Sequence, residues 1–242
     1  MKFVGTLQLP GDKSISHRAI MLSTIADGVS YVRNLNDGAD LQSTINILKQ
    51  CGASIKQRNN EIIIVGKELQ SPLKELDCGN SGTTTRLIAG LLASQKLTFS
   101  LIGDKSLSKR PMKRIITPLK EMGCKISSNN GLLPLSIDAS GGISSLDFDM
   151  KIASAQVKSS ILFSALGGNN VSSINEIIPT RNHSEIMLNN MGALIERKGD
   201  KIVIHPLKSK LKSIDISVPS DPSSSAFFAG LAAVSYTHLR AH

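Results

Sequence analysis

The chain has 242 residues, of which 40% are hydrophobic and 19% are charged, the usage of an ordinary folded domain rather than of a disordered or fibrous chain. Aromatic residues make up only 3%, which argues against a surface on which nucleic-acid bases stack. The formal net charge of +9 favours an acidic partner, either a nucleic acid or a small polyanionic metabolite.

The first residues contain no apolar signal core, and no apolar run reaches the roughly 18 residues of a membrane helix. We therefore expect a cytoplasmic protein with no membrane partner. Cys51, Cys78 and Cys124 form no CxxC pair, so we interpret them as small buried hydrophobic residues. No metal site is expected, because neither His17 nor His183 has a Cys or carboxylate at ligand spacing.

Three apolar helices are predicted at the same phase of a repeat. They begin near Ser14, Ser81 and Ser154, and each hydroxyl is placed to cap its helix. Their apolar composition suits burial. Free backbone N–H groups and the helix dipole make such starts favourable for phosphate or carboxylate.

Three further segments share a second pattern, in which a helix end is followed by a glycine and a two-strand hairpin. The glycines are Gly52, Gly123 and Gly192, about 70 residues apart. Turn residues at 59–60, 129–131 and 198–200 lie between alternating apolar positions, which indicates hairpins. Helices alternating with short strands predict an α/β domain of three similar units, with the helices packed inside a shell of sheets.

The helix starts also carry the candidate ligands. Lys13, Ser14 and Arg18 form a compact anion clamp at the first start, because Ser14 and Arg18 share one helical face. Gly82 lets a ligand approach the backbone of the second helix. At the third, Ser154 and Gln156 suit sugar-like hydroxyls. At the start of any single helix, a Ser usually serves only as a cap. Three helices with such starts at the same point of a repeat favour a ligand-binding site.

Two later segments complete the pattern. Arg110 lies in a basic run before an amphipathic helix, where one guanidinium is placed for bidentate binding of a carboxylate or phosphate. The strand IDISVP is predicted to open a fourth unit, with Asp221 as cap and Pro222 as the first helical residue. The last eight residues continue no helical period. We interpret them as a non-native tail and expect the chain to be part of a longer protein.

Five motifs, LPGDKSISHRA, GNSGTTTRLIAGLLA, SLSKRPM, SAQVKSSILFSAL and VPSDPSSSAFFAGLAA, resemble those of the 5-enolpyruvylshikimate-3-phosphate (EPSP) synthase family in the same order. The resemblance implies two domains, each an inside-out α/β barrel of three βαβαββ repeats, of which the second is mostly missing here. It divides the chain into a strand and hinge belonging with the missing domain (1–12), a three-repeat substrate-binding domain (13–217), the start of the second domain (218–234) and the non-native tail (235–242).

The family transfers the enolpyruvyl group of phosphoenolpyruvate to the 5-hydroxyl of shikimate 3-phosphate, on the route to chorismate and the aromatic amino acids. The resemblance implies these two small-molecule substrates, no metal or organic cofactor, no nucleic acid and a monomeric full-length protein. No residue here matches the family's proton-transfer groups, which come from the other domain. The chain alone is therefore expected to be inactive.

The resemblance also assigns residues. It implies that shikimate 3-phosphate is held by Lys13, Ser14, Arg18, Ser154, Gln156 and Arg181. It implies that phosphoenolpyruvate is held by Lys13, Gly82, Arg110 and Gln156. Lys13 would contact both substrates and stabilise charge as the catalytic residue of this half. Two positions depart from the family pattern: Ala155 stands in place of a second Ser, and Leu87 in place of a Pro.

Three alternatives remain open at this point. The first is the sister family that transfers enolpyruvyl to UDP-N-acetylglucosamine, which typically has Lys-Asn where this chain has Lys13-Ser14, and a loop Cys where SLSKRPM has none. The second is an RNA-binding or RNA-end-processing protein of similar repeat fold, which the basic charge permits and the lack of aromatics disfavours. The third is a folded fragment without function.

Overall fold

The computed structural model describes residues 7–235. The expected N-terminal segment 1–12 therefore enters only through residues 7–12. Of the expected tail, all but Ser235 lies outside the described residues.

The strands, numbered in chain order, form three four-stranded sheets with the same topology, one parallel pair followed by two antiparallel pairs. The first sheet, in spatial order, contains β14 (Asp215–Ser217), β2 (Val29–Arg33), β4 (Glu61–Val65) and β3 (Ser54–Arg58). The second contains β5 (Leu76–Asp77), β6 (Thr98–Ile102), β8 (Leu132–Asp138) and β7 (Lys125–Asn129). The third contains β9 (Asp147–Asp149), β10 (Ser172–Asn175), β12 (Lys201–Ile204) and β11 (Ile195–Lys198). A short parallel pair joins β1 (Ala26–Asp27) to β13 (Leu211–Lys212).

Each unit contributes two helices to the space that the sheets enclose. The first helix of each unit is almost wholly buried along its length: α1 (Lys13–Thr24), α3 (Gly82–Ser94) and α5 (Ala155–Ala165). The second helix is buried on one side only: α2 (Ala39–Gln50), α4 (Lys113–Glu121) and α6 (His183–Asn190). The remaining helices are a 3-10 turn (Leu107–Lys109) and α7 (Pro222–Val234). This arrangement confirms the predicted α/β fold of three similar units with buried helices.

The inner helices approach one another closely. A Cβ added to Gly90 of α3 would lie 2.2 Å from the backbone oxygen of Ser160 in α5, so only glycine fits there. On the sheets, side chains alternate between the core and solvent, as on β2, where Val32 is buried and Tyr31 is exposed. The core is built of aliphatic residues from both layers, which holds the inner helices, and hence their N-termini, in fixed positions.

The predicted turns are confirmed. Gly52, Gly123 and Gly192 end α2, α4 and α6 at φ values of 87°, 98° and 90°, the left-handed conformation that glycine adopts without strain. Residues 59–60, 130–131 and 199–200 lie between the paired strands of the three hairpins. The three cysteines are free and buried, also as predicted.

Two local predictions are wrong. Ser14 does not cap α1, because the carboxylate of Asp12 accepts the hydrogen bond from the Ile15 N–H at 2.8 Å, which leaves Ser14 inside the first turn. The strand IDISVP does not open a fourth unit, because β14 pairs in parallel with β2 and supplies the strand that the first sheet otherwise lacks. The chain then passes beside its own beginning, where Gly11 bridges Ser220 and Asp12 N–H donates to Pro219 O at 2.7 Å.

The last helix lies apart from the core. Asp221 caps α7 and Pro222 is its first residue, as predicted. Within Pro222–Val234 only Ala232 is buried, and the side chain of Phe227 is 81% exposed. None of the helices within residues 7–235 is long and apolar enough to cross a bilayer.

Candidate anion-binding site

The first part of the candidate site lies at the N-terminus of α1. Lys13 forms an ion pair with Asp40 of α2 and keeps 45% of its side chain exposed, so its ammonium remains accessible to a ligand. Because Asp12 provides the cap, the hydroxyl of Ser14 is available to other groups. It accepts a hydrogen bond from Arg18 Nη1 at 2.6 Å and lies 3.3 Å from His183 Nδ1.

Arg18 is the central cation of this part. It is only 2% exposed, and its guanidinium donates to Ser14, to Ser159 Oγ at 2.6 Å and to Ser184 Oγ at 2.7 Å. No carboxylate in residues 7–235 lies within ion-pair distance of it, so its hydrogen-bond partners are uncharged: three serine hydroxyls and the Ser14 backbone oxygen. Burial lowers the pKa of Arg18 to about 10, which still leaves it charged at neutral pH. A buried cation with no carboxylate in direct contact is a favourable place for an anion.

The second part lies at the N-terminus of α3. Ser81 caps this helix as predicted, accepting from Thr84 N–H at 3.1 Å. A Cβ on Gly82 would lie 2.6 Å from Arg86 Nη1 and 3.5 Å from Arg110 Nη1, so two guanidinium groups meet over the bare Cα. Burial, and then the charges of Arg110 and Arg114, lower the pKa of Arg86. These cations are crowded together.

The crowding is not relieved by acidic side chains. Among the described residues, neither Arg86 nor Arg110 forms an ion pair; Arg86 donates to Gln156 Oε1 at 2.8 Å, and Arg110 donates to Asn80. Gln156 also donates to Thr83 Oγ1 at 3.0 Å, so its amide joins α5 to α3. Like charges that repel one another without a counter-charge are stabilised when an anion binds between them.

A chain of buried polar groups joins the two parts. His17 Nδ1 lies 2.8 Å from Thr44 Oγ1, which lies 2.8 Å from Thr84 Oγ1, which donates to Ser81 Oγ at 2.7 Å. Burial, and then Lys13, lower the pKa of His17 to about 3, so its imidazole is neutral. The chain runs from α1 through α2 to α3 and fixes the distance between their N-terminal turns.

The third part of the candidate site lies at the N-terminus of α5, where the predicted helix cap is present. The Ser154 hydroxyl accepts from Val157 N–H at 3.3 Å, so in this structure it is a helix cap. Arg181 precedes α6, and its charge contributes to lowering the pKa of both Arg18 and His183, which places it near the first part. Burial is the largest cause of the lowered His183 pKa.

The structure thus brings Ser14 and Arg18 into contact at α1, where Lys13 pairs with Asp40. At α3 it places the guanidinium groups of Arg86 and Arg110 beside Gly82, with Gln156 in contact with Arg86. Sequence reasoning missed three groups that complete the site, Ser159, Ser184 and Asp40, which have no sequence signal because they come from neighbouring helices. Arg86, which contacts Gln156, can be expected from the sequence, since it lies one helical turn after Gly82. No group of three His, Cys, Asp or Glu side chains within residues 7–235 is arranged to hold a metal ion.

Fold and site together define a three-unit α/β domain that gathers cations at the N-termini of buried helices. The sequence model of "EPSP synthase (3-phosphoshikimate 1-carboxyvinyltransferase)" matches residues 1–241. The chain therefore belongs to the EPSP synthase family, as the motif resemblance predicts.

Relatives and solved structures agree. The 3-phosphoshikimate 1-carboxyvinyltransferase of Oenococcus oeni is 46% identical over 228 residues, which cover 93% of this chain and 52% of the relative. The enzyme of the same name from Alkaliphilus metalliredigens is 47% identical over 96% of this chain and 56% of its own. An EPSP synthase structure from Acinetobacter baumannii superimposes with a TM-score of 0.88 at 41% identity, covering 95% of this chain and 53% of that one. The chain spans about half the length of the relatives it matches.

Proposed function

We propose that this chain is the half of a 3-phosphoshikimate 1-carboxyvinyltransferase that binds shikimate 3-phosphate and part of phosphoenolpyruvate. The observation that carries the proposal is the set of arginines without carboxylate partners, Arg18 at α1 and Arg86 with Arg110 at α3. Membership of the EPSP synthase family indicates which anions these arginines bind. The same membership disfavours the UDP-sugar and RNA alternatives.

We propose one anion for each of the first two parts of the site. The phosphorylated sugar-like substrate belongs with the hydroxyl-rich part around Arg18, where Ser14 and the α5 terminus offer hydrogen bonds to a phosphate and to ring hydroxyls. Phosphoenolpyruvate, a smaller anion carrying a phosphate and a carboxylate, belongs over Gly82, where the guanidinium groups of Arg86 and Arg110 converge. In this proposal Gln156 and Lys13 contact both anions.

The main contribution of this half to the reaction is electrostatic. Joining two anions requires their charges to be held close together, and preorganised cations do this at little reorganisation cost. Lys13 is the cation with an accessible ammonium, and Asp40 orients it. We assign no proton transfer to this chain, and we propose that those groups come from the part of the relatives that it does not match. The 242-residue chain alone would then release no phosphate from the two substrates.

The test is ligand-induced stabilisation of the 242-residue chain. A ligand that binds only the folded state at about 100 times its Kd adds about 2.7 kcal/mol, which raises the melting temperature by several degrees. Shikimate 3-phosphate should produce this shift, whereas phosphoenolpyruvate alone should produce little. Lys13→Ala should reduce the shift, and the matched control Lys208→Ala, an exposed lysine in the segment after β12, should preserve it.

The decisive control is inorganic phosphate at matched ionic strength. If phosphate alone reproduced the whole shift, the site would be a general anion site and the assignment of shikimate 3-phosphate would be refuted. An unchanged melting temperature with shikimate 3-phosphate would equally refute it.

A further inference from the structure

A buried ionic network is formed by side chains that are not among the proposed binding residues. Lys158 of α5 is fully buried, and its Nζ lies 2.9 Å from Glu176 Oε1 and 2.7 Å from Glu185 Oε1. Glu176 is also fully buried, and its other oxygen, Oε2, forms an ion pair with Arg197 Nη1 at 2.7 Å. A buried ion pair contributes little net stability, because desolvation offsets the attraction. Stability alone does not explain the network.

The network holds the segment 177–182 that carries Arg181. Glu176 Oε1 accepts hydrogen bonds from both the N–H and the hydroxyl of Thr180, at 3.0 and 2.5 Å. The backbone oxygen of Thr180 lies 3.5 Å from Lys158 Nζ. Ile177 and Ile178, by contrast, are 69% and 62% exposed. Hydrogen bonds therefore anchor the segment at Thr180, one residue before Arg181.

The two cations and two hydrogen-bond donors around Glu176 favour its ionised form. Burial raises the pKa of Glu176, but the hydrogen bonds from Thr180, Lys158 and Arg197 outweigh burial and hold it below its ordinary value. An ionised carboxylate accepts stronger hydrogen bonds than a neutral one, so the fastening of Thr180 is firm. Lys158 also forms an ion pair with Glu185 of α6, so the network connects α5 to the helix that follows the Arg181 segment.

We propose that Glu176 is a positioning residue that acts through Thr180 to fix Arg181 beside the Arg18 pocket, and so sets the affinity for the phosphate of shikimate 3-phosphate. The inference rests on the proposed function, because it requires Arg181 to contact that phosphate. A charged side chain on a loosely held segment must be ordered when the ligand binds, and fastening the segment beforehand removes part of that entropic cost.

The experiment is a double-mutant cycle on the 242-residue chain, with shikimate 3-phosphate binding measured by calorimetry. Thr180→Val removes the hydroxyl that Glu176 holds and leaves no buried charge unpaired, so it avoids the folding defect expected of Glu176→Gln. We expect Thr180→Val to weaken binding about three- to tenfold, the usual effect of one hydrogen bond. We expect Arg181→Ala to weaken it by more, and the double variant to be no weaker than Arg181→Ala alone.

The matched control is Thr98→Val on the outer face of the second sheet. It likewise removes a hydroxyl that donates to a carboxylate, Asp138 Oδ1 at 3.1 Å, and it should leave the affinity unchanged. If the Thr180→Val loss persisted in full in the Arg181→Ala background, Thr180 would act independently of Arg181, and the positioning role would be overturned while the proposed function stood. If Arg181→Ala alone had no effect, both the assignment of Arg181 and this inference would be overturned.

Discussion

Buried His17 makes the stability of this domain depend on pH. In the unfolded chain its imidazole has a pKa of 6.5, and in the folded chain burial and then Lys13 lower this pKa to about 3. Between these values the unfolded state binds a proton that the folded state does not. The stabilisation is therefore fully present above pH 6.5 and is lost as the pH falls toward 3.

The magnitude follows from the two pKa values. At about pH 4.5 the unfolded imidazole is charged and the folded one is neutral. Two pH units at about 1.4 kcal/mol each give a loss of about 3 kcal/mol relative to neutral pH. This is a large share of the roughly 5–15 kcal/mol that stabilises a typical domain. His17→Asn removes the titrating group and keeps an amide that can bond to Thr44.

Urea unfolding followed by circular dichroism suits this chain, which has no Trp for fluorescence. Between neutral pH and about pH 4.5 the native chain should lose about 3 kcal/mol more than His17→Asn, whereas carboxylates elsewhere affect both equally. Thr44→Val is the control, because it removes the hydroxyl beside Nδ1 but keeps the imidazole. It should lower stability at both pH values and preserve the pH dependence. Equal pH dependence in the native chain and His17→Asn would refute the argument.

Three further predictions concern packing and backbone conformation. Gly90→Ala should destabilise the domain by about 1–3 kcal/mol in urea unfolding, because its Cβ would meet the backbone of Ser160; unchanged stability would show that α3 and α5 pack less closely. Gly52→Ala, where a Cβ meets nothing within 4 Å, should cost about 1–2 kcal/mol from the φ of 87° alone, and a gain in stability would contradict the left-handed turn. In hydrogen exchange the amides of α7 should exchange faster than those of α3, because α7 buries only Ala232; equal protection would mean that α7 is packed against something.

Much of the fold could be predicted because its signals are local. The glycine turns and hairpins repeat at a fixed spacing, and the apolar inner helices follow from composition alone. The pairing of β14 with β2 could not be predicted, since strands so far apart in sequence carry no local mark of their partner. The cap of α1 is ambiguous in the sequence because Asp12 and Ser14 are both good capping residues. In the structure Asp12 is the cap.

In the candidate site, too, contacts within one helix could be predicted and contacts between helices could not. Lys13, Ser14 and Arg18 lie on one helix, so their proximity follows from helical spacing. The partners of Arg18 come from α5 and α6, which only the packed core brings together. Lys158 gave a partial signal, since a lysine within an apolar helix requires a buried counter-charge. Which carboxylate provides it depends on the tertiary structure.

The pairing of β14 with β2 also bears on how the chain folds as it is synthesised. The ribosome completes β2, β3 and β4 early, but the strand that borders β2 is made about 150 residues later. At about 5–20 residues per second, the edge of β2 waits roughly 8–30 s for its neighbour. The second and third units contain all four of their strands in one continuous stretch and have no such delay. In a nascent chain, the unit translated first should therefore be the last to complete its sheet, with an open strand edge that a chaperone can protect.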